Sequence, residues 1–282
     1  MTDASPLPKL CILAGGGIAP RSLINACQRD GRPFFVVGLE GQADAATFPN
    51  GLPHLWLPLG AASRLKTALM EQGVKELVMI GRVRRPSLAE IKPDALAFKV
   101  LAKIGLKALG DDALLRCIGQ AIEEESGIRV VGAHEVLGGL LAREGKIGNL
   151  EPDDDARKDI ARGIEIAQTL GHLDIGQSVI VQQGLVLGVE AIEGTDALME
   201  RCAALRREGP GGVLVKLAKP QQDNRYDLPT IGPGTVQTAA AAGLCGIAIE
   251  ASRSLILDRD SVIEEANAWK LFIIGISIAP KG

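Results

Sequence analysis

Three consecutive glycines, Gly15, Gly16 and Gly17, break the chain between an apolar run and an amphipathic one. The apolar run is KLCILA, residues 9–14, and it has β character. The amphipathic run, PRSLINACQRDG, sets Leu23, Ile24 and Cys27 on one side, with Pro20 suited to a first helical turn and Gly31 to a helix end. A second buried strand, PFFVVGLE, follows. Two buried strands separated by one amphipathic helix pair parallel through a crossover, so the opening predicts a parallel sheet flanked by helices. The alternation continues with a helix at about 61–72, the strand VKELVMIG, helices at about 94–109 and 111–125, and the strand GIRVVG.

At 282 residues and 46% hydrophobic, the chain can bury the cores of two domains. Residues 1–137 form the first in this reading, the glycine-rich stretch 138–150 is a linker, and 151–282 form the second. The second domain starts with a helix whose first turn holds Pro152 and three aspartates, where negative charge suits the helix dipole. QSVIVQQGLVLGVEAIEG then reads as two strands around Gly184, followed by a helix at about 195–207 and the strand GVLVKLA. TVQTAAAAG and SVIEEANA read as helices, and CGIAIEA, SLILD and LFIIGI as strands. The fold class is therefore α/β twice over: a parallel-sheet domain, then an α/β domain whose hairpin makes its sheet mixed.

Several function classes are excluded by composition. Aromatics at 3% argue against a stacking platform for single strands, and a net charge of −3 gives no basic footprint for duplex DNA, so no nucleic-acid partner is expected. The five cysteines form no CxxC and lie mostly in apolar runs, which fits a reducing cytoplasm. No apolar run approaches a membrane span, and the expectation is a soluble protein. His54, His134 and His172 share no ligand spacing, which argues against zinc.

Five places have the residue types for chemistry. The glycine loop AGGGIAP matches a dinucleotide fingerprint at Gly15 and Gly17, but Pro20 stands where the third glycine belongs. It reads as a loop able to approach a phosphate or sugar closely, or as a tight turn with no ligand. GRVRRPS places Arg82, Arg84 and Arg85 after a buried strand, where an anion would bind unless the run is merely solvated. Lys99, Lys103 and Lys107 line one helix face, either a solvated face or a flank for anionic headgroups. VEAIEGTDALMERC gathers Glu190, Glu193 and Asp196 near a strand end, with Thr195 or Asp196 available as a helix cap. Such acids can hold Mg2+ through oxygen ligands and water. The fifth place is VKLAKPQQDNRYDLPTIGPGT, where Pro220, Pro229 and Pro233 stiffen a loop rich in Lys219, Asp223, Arg225 and Asp227. Two carboxylates there can bind a divalent cation or activate water, and Lys216, Lys219 and Arg225 can neutralise phosphate oxygens. A solvated loop of self-paired ions is the plain alternative.

Together KLCILAGGGIAP, IGRVRRPS, VEAIEGTD and VKLAKPQQDNRYDLPTIGPGT resemble one family over nearly the whole chain: the UDP-2,3-diacylglucosamine pyrophosphatases of lipid A biosynthesis, in their non-metallophosphoesterase form. The resemblance implies a Rossmann-like amino-terminal domain, a distinct carboxy-terminal domain, and a lipid held between them. It implies Mg2+-dependent hydrolysis of UDP-2,3-diacylglucosamine to 2,3-diacylglucosamine 1-phosphate and UMP, with water attacking the sugar-side phosphorus. Carried onto this chain, the acidic motif falls on Asp223 and Asp227, with Glu190, Glu193 and Asp196 as the second acidic group. With the cations that would balance phosphate charge, the expected catalytic set is Asp223, Asp227, Lys216, Lys219 and Arg225. The metal set is Asp223, Asp227, Glu190, Glu193 and Asp196, and the substrate-binding set is Gly15, Gly16, Gly17, Arg82, Arg84, Thr195 and Thr235. The expected partner is a lipid-linked UDP-sugar, met at the cytoplasmic face of the inner membrane, and the chain size is compatible with a homodimer. Two other readings stay open: a nicotinamide-dependent oxidoreductase built on the glycine loop, and a non-catalytic nucleotide-sugar or lipid-binding module.

Overall fold

A computed structural model describes residues 7–49, 51–84, 91–104 and 111–278, the side chains of 103, 104 and 111–113 excepted. The chain divides into two compact units, Met1–Gly138 with Asp223–Asp227, and Gly139–Gln222 with Leu228–Gly282.

The first unit holds β1 (Leu10–Ala14), β2 (Phe34–Leu39), β3 (His54–Leu57), β4 (Glu76–Ile80) and β5 (Arg129–Val130). They form one parallel sheet in the order β3-β2-β1-β4-β5. Every residue of β1 is buried, as a central parallel strand covered on both faces must be. Helices α1 (Ala19–Arg29), α2 (Ala62–Glu71), α3 (Ala95–Ile104), α4 (Asp111–Ser126) and the short α5 (Ala133–Val136) supply the connections. The order reverses at β1, so the carboxyl ends of β1 and β4 flank a topological switch point, where open α/β sheets take ligands. The expected Rossmann-like architecture is present; β3 is an element the sequence reading did not anticipate, because HLWL is short and only partly buried.

In the second unit, β6 (Gly145–Ile147), β7 (Ser178–Gln182), β8 (Leu185–Val189), β9 (Val213–Lys216), β11 (Gly246–Glu250) and β13 (Phe272–Ile276) form a sheet in the order β6-β13-β11-β9-β7-β8. Strands β9, β11 and β13 run parallel, β6 and β7 run against them, and β8 turns back through the hairpin to pair antiparallel with β7. A small parallel pair, β10 (Thr230–Ile231) and β12 (Leu255–Ile256), stands apart. Side chains alternate across the sheet, as a period of two requires. Val179, Val181, Val213 and Val215 pack with Ala156, Ile160 and Ala167 of α6 (Asp154–His172). Ile180, Leu214 and Ile247 face the other way, onto α7 (Thr195–Ala203), α8 (Pro233–Ala241) and α9 (Arg259–Ala268). Each fully buried Ile or Leu contributes about 1.5–3 kcal/mol, so a charge at Ile180 or Leu214 would unfold this unit.

Two local devices fix the hairpin and the long helix. Asp153 caps α6, its carboxylate accepting from Ala156 N at 2.8 Å. Buried Asp159 accepts from Gln183 N and Gly184 N at 2.9 and 2.6 Å, holding the β7–β8 turn, where both residues have positive φ. The stretch 138–150, expected as a linker, instead contains β6, which pairs antiparallel with β13, and the bridge Leu141–Leu255. The division falls at its start, between Gly138 and Gly139.

Candidate active site

The glycine loop follows β1 and meets the segment after β4. Gly16 and Arg82 exchange backbone hydrogen bonds of 2.8 and 2.9 Å. A Cβ on Gly15 would lie 2.5 Å from Arg82 O, and one on Gly16 would lie 2.7 Å from Gln42 O. Close backbone approach therefore accounts for both residues as packing requirements. Gly17 differs, with φ +88° and nothing within 4 Å of the position its Cβ would take. Pro20 lies within the first two positions of α1. Arg84 N donates to Gln42 Oε1 at 2.8 Å, while Arg85 lies outside the described residues. Lys99 pairs with Glu125 of α4 at 2.9 Å, as a solvated face would; the Lys103 side chain and Lys107 lie outside the described residues.

The acidic segment Asp223–Asp227 belongs to the first unit, although the chain on either side of it belongs to the second. It forms a turn in which Tyr226 N and Asp227 N both donate to Asp223 O, at 3.0 and 3.5 Å. Asp223 is half-buried and Asp227 exposed. Arg225 forks onto Asp223, with Nε 3.1 Å from Oδ1 and NH2 2.8 Å from Oδ2. This charge-assisted pairing holds the Asp223 carboxyl below the usual carboxylate range and pushes the Arg225 guanidinium higher still. Glu123 of α4 stands 3.6 Å from the other arm of Arg225.

The residues just before this turn are fixed within the second unit. Lys219 Nζ binds Asp174 at 2.5 Å, and Gln221 Nε2 donates to Gly171 O at 2.6 Å. Arg253 NH2 donates to Lys219 O at 3.3 Å. Asp174 and Arg253 were not singled out in the sequence, where neither stands near a motif.

At the carboxyl end of β9, Lys216 is buried, and its Nζ donates to Thr195 Oγ1 at 3.1 Å and to Thr230 O at 3.2 Å. Thr195 Oγ1 donates to Glu190 Oε1 at 2.9 Å, and Glu190 also accepts from Gln177 N at 3.3 Å. Ser178 Oγ lies 3.3 Å from the same threonine hydroxyl. Buried Lys216, half-buried Thr195 and buried Glu190 are thus one hydrogen-bonded row. Glu193 binds Arg201 at 2.9 Å and accepts from Ala191 N at 3.0 Å. Burial raises its carboxyl, but the backbone donors and Arg201 outweigh that and hold it below its ordinary range. The N-cap of α7 is Gly194, at φ +83°, not Thr195 or Asp196; the Thr195 hydroxyl is turned to Glu190, and Asp196 lies in the first turn. Thr235 is buried in the first turn of α8, its Oγ1 accepting from Gly232 N at 3.3 Å.

Among the described residues, no three carboxylate, imidazole or thiol groups gather as a ready-made metal cage. Magnesium does not require one. It commonly takes one or two carboxylates and completes its shell with water and substrate phosphate. Asp223 and Asp227, set on one turn with Asp223 kept ionised, fit that donor chemistry.

Family models place this chain. The LpxI N-terminal domain matches residues 9–140 and the LpxI C-terminal domain residues 143–274. The UDP-2,3-diacylglucosamine pyrophosphatase LpxI of Caulobacter vibrioides is 41% identical over 275 residues, covering 95% of this chain and 97% of that one. Solved structures resemble it loosely. The Bordetella bronchiseptica enzyme WbmG, in complex with NAD and UDP, is 12% identical, with coverage of 100% and 84% of the two chains and a TM-score of 0.38. The Thermus thermophilus UDP-glucose 4-epimerase in complex with NAD is 13% identical, with coverage of 97% and 88% and a TM-score of 0.31. Scores this low carry no argument. Two domain models that together span nearly the whole sequence, and a near full-length relative, agree: the chain belongs to the LpxI family.

Proposed function

We propose that this chain hydrolyses the pyrophosphate bond of UDP-2,3-diacylglucosamine, releasing UMP and 2,3-diacylglucosamine 1-phosphate. The observation that carries the reading is the 41% identity to the Caulobacter vibrioides pyrophosphatase across 95% of this chain and 97% of that one. The diphosphate is negatively charged and repels an incoming nucleophile, so the protein must neutralise charge and orient one water.

Asp223 and Asp227 would hold Mg2+, which when bound neutralises phosphate oxygens and lowers the pKa of water. Arg225 keeps Asp223 ionised and fixes its direction. Lys216 presents an ammonium whose position is set by Thr195 and Thr230 O, and Lys219 one set by Asp174. Both are suited to stabilise charge on phosphate oxygens. Glu190, Glu193 and Asp196 belong to the same proposal as further candidate metal ligands, although all three already have interaction partners. Gly17, with open space beside it, is the residue of the glycine loop best suited to a close ligand approach. Among the described residues, no helix is long and apolar enough to cross a membrane. In this reading a diacyl substrate would be met at a bilayer surface, the cytoplasmic face of the inner membrane.

The test is incubation of purified protein with the lipid substrate and Mg2+ in water enriched in heavy oxygen, followed by mass spectrometry. The expected products are unlabelled UMP and 2,3-diacylglucosamine 1-phosphate bearing one heavy oxygen. Label in UMP would move the attack to the other phosphorus, and intact substrate would favour a binding module over an enzyme.

A further inference from the structure

Gly119 lies in the interior of α4, on the face that also carries Leu115, Ile122 and Glu123. Glycine in a helix interior costs about 1 kcal/mol relative to alanine, so its presence there asks for a packing reason. The reason is Tyr226. A Cβ at position 119 would lie 2.0 Å from Tyr226 Cε1 and 2.7 Å from Cδ1 and Cζ. The tyrosine is 5% exposed and packs in the core cluster of Leu77, Ile128 and Val130.

The ring bears on the acidic turn in two ways. The Arg225 guanidinium lies over it, Cζ 4.9 Å from the ring centroid, and that guanidinium is the one forked onto Asp223. The backbone N of Tyr226 also donates to Asp223 O at 3.0 Å. The hydroxyl, by contrast, is buried and has no hydrogen-bond partner among the described residues. The aromatic ring makes the contacts with Gly119 and Arg225, and the oxygen makes no hydrogen bond among the described residues.

We propose that Gly119 and Tyr226 form a socket and plug that position Asp223 for the reaction: the ring seated on α4 fixes the acidic turn, and Arg225, resting on the ring, directs the carboxylate. Both are positioning residues; neither touches the reacting atoms. The proposal rests on the reading of Asp223 as a reaction-centre acid, and goes beyond it by naming what holds that acid in place. A tyrosine that merely filled the core would matter to stability alone.

The experiment compares Gly119→Ala, Tyr226→Leu and Tyr226→Phe with the unaltered protein in two readouts. One is kcat and KM for UDP-2,3-diacylglucosamine with Mg2+. The other is amide hydrogen exchange of residues 223–227, with β1 and β4 as internal controls. Gly119→Ala should lower kcat about 100-fold, the scale of a misplacement of about 1 Å, with KM little changed. Its 223–227 amides should exchange about tenfold faster while β1 and β4 keep their protection, as a local opening would. Tyr226→Leu, which introduces no clash, should show the same pattern and serves if Gly119→Ala fails to fold. Tyr226→Phe keeps the ring and should restore both readouts.

Unaltered exchange in Gly119→Ala and Tyr226→Leu would overturn the socket, and faster exchange with normal kcat would overturn its positioning role. Tyr226→Phe as damaged as Tyr226→Leu would transfer the role to the hydroxyl. Failure of the unaltered protein to turn over the lipid would sink the catalytic reading, and the exchange arm would still decide whether the ring holds the turn.

Discussion

The Arg225 guanidinium reaches both carboxylate oxygens of Asp223, a residue only two positions away, and the backbone N of Arg225 adds a further contact to Oδ1 at 3.0 Å. So short a separation makes the pair a property of the turn itself. It holds an ionised carboxylate in one direction, which suits a metal ligand or a group that orients water.

Asp223→Asn keeps the shape and removes the charge. Its kcat should fall by about 10²- to 10⁴-fold, the range for loss of a positioned acid–base group, and its melting temperature should stay close to that of the parent. Steady-state turnover and circular dichroism check this. Retention of more than a tenth of the parent kcat would take Asp223 out of the chemistry.

Glu193→Gln distinguishes a metal ligand from a scaffold acid. Its ionic contact with Arg201 is partly exposed, so the loss of stability should be about 1 kcal/mol or less. With Glu193 as a metal ligand, its loss should raise the Mg2+ concentration for half-maximal activity about tenfold, equivalent to about 1.4 kcal/mol. An unmoved midpoint would leave Glu193 a scaffold acid and take it out of the metal set.

Asp94 supplies a pH-dependent contribution to stability. Its carboxylate accepts from Ser63 N at 2.7 Å and Ala97 N at 2.9 Å, capping α2 and α3 together. Burial pushes this carboxyl up, but the backbone donors outweigh it and the net shift is downward. Its contribution is therefore complete above the unfolded value of about 4 and fades as pH falls through the lower folded value. Asp94→Ala should cost about 1–2 kcal/mol at neutral pH, and the gap to the parent should narrow below about pH 4. Denaturant unfolding at several pH values measures the gap; a gap constant across the acid range would contradict the capping role.

The neighbouring glycines should respond differently to a methyl group. Gly15→Ala meets the carbonyl of Arg82 and should cost about 1–3 kcal/mol, the usual range for overpacking. Gly17→Ala meets no atom, so only its left-handed backbone resists, at about 1–2 kcal/mol. Melting curves and kcat/KM for both variants separate the effects. A loss of kcat/KM in Gly17→Ala far beyond its loss of stability would mark a ligand passing close to that residue.

What could be read beforehand followed local physical signals. The first two strands and α1 were legible because apolar periodicity and a glycine break coincide there, and the β7–β8 hairpin because Gly184 interrupts two apolar runs. The edge strand of the second sheet was hidden: Gly145–Ile147 has no apolar alternation and becomes a strand only by pairing with a partner far along the chain. The acids and lysines of the 219–227 loop were conspicuous by type and by their prolines, and the Arg225–Asp223 fork is local. The partners that fix the loop were not visible. Asp174, Arg253 and Gly119 come from distant segments, and long-range packing leaves no period in a sequence. One clue was available, a glycine interrupting an otherwise regular helix, together with a tyrosine that has no second copy in the chain.

The return of Asp223–Asp227 to the first unit has a consequence for synthesis. When Gly138 leaves the ribosome, α4 still has a vacant notch at Gly119, bordered by Leu115 and Ile122. The ring that fills it is made only after the whole stretch from Gly139 to Gln222 has been translated. The amino-terminal half therefore cannot complete its own interior as it emerges, and a fragment truncated at Gly138 would present greasy surface to chaperones and to other nascent chains.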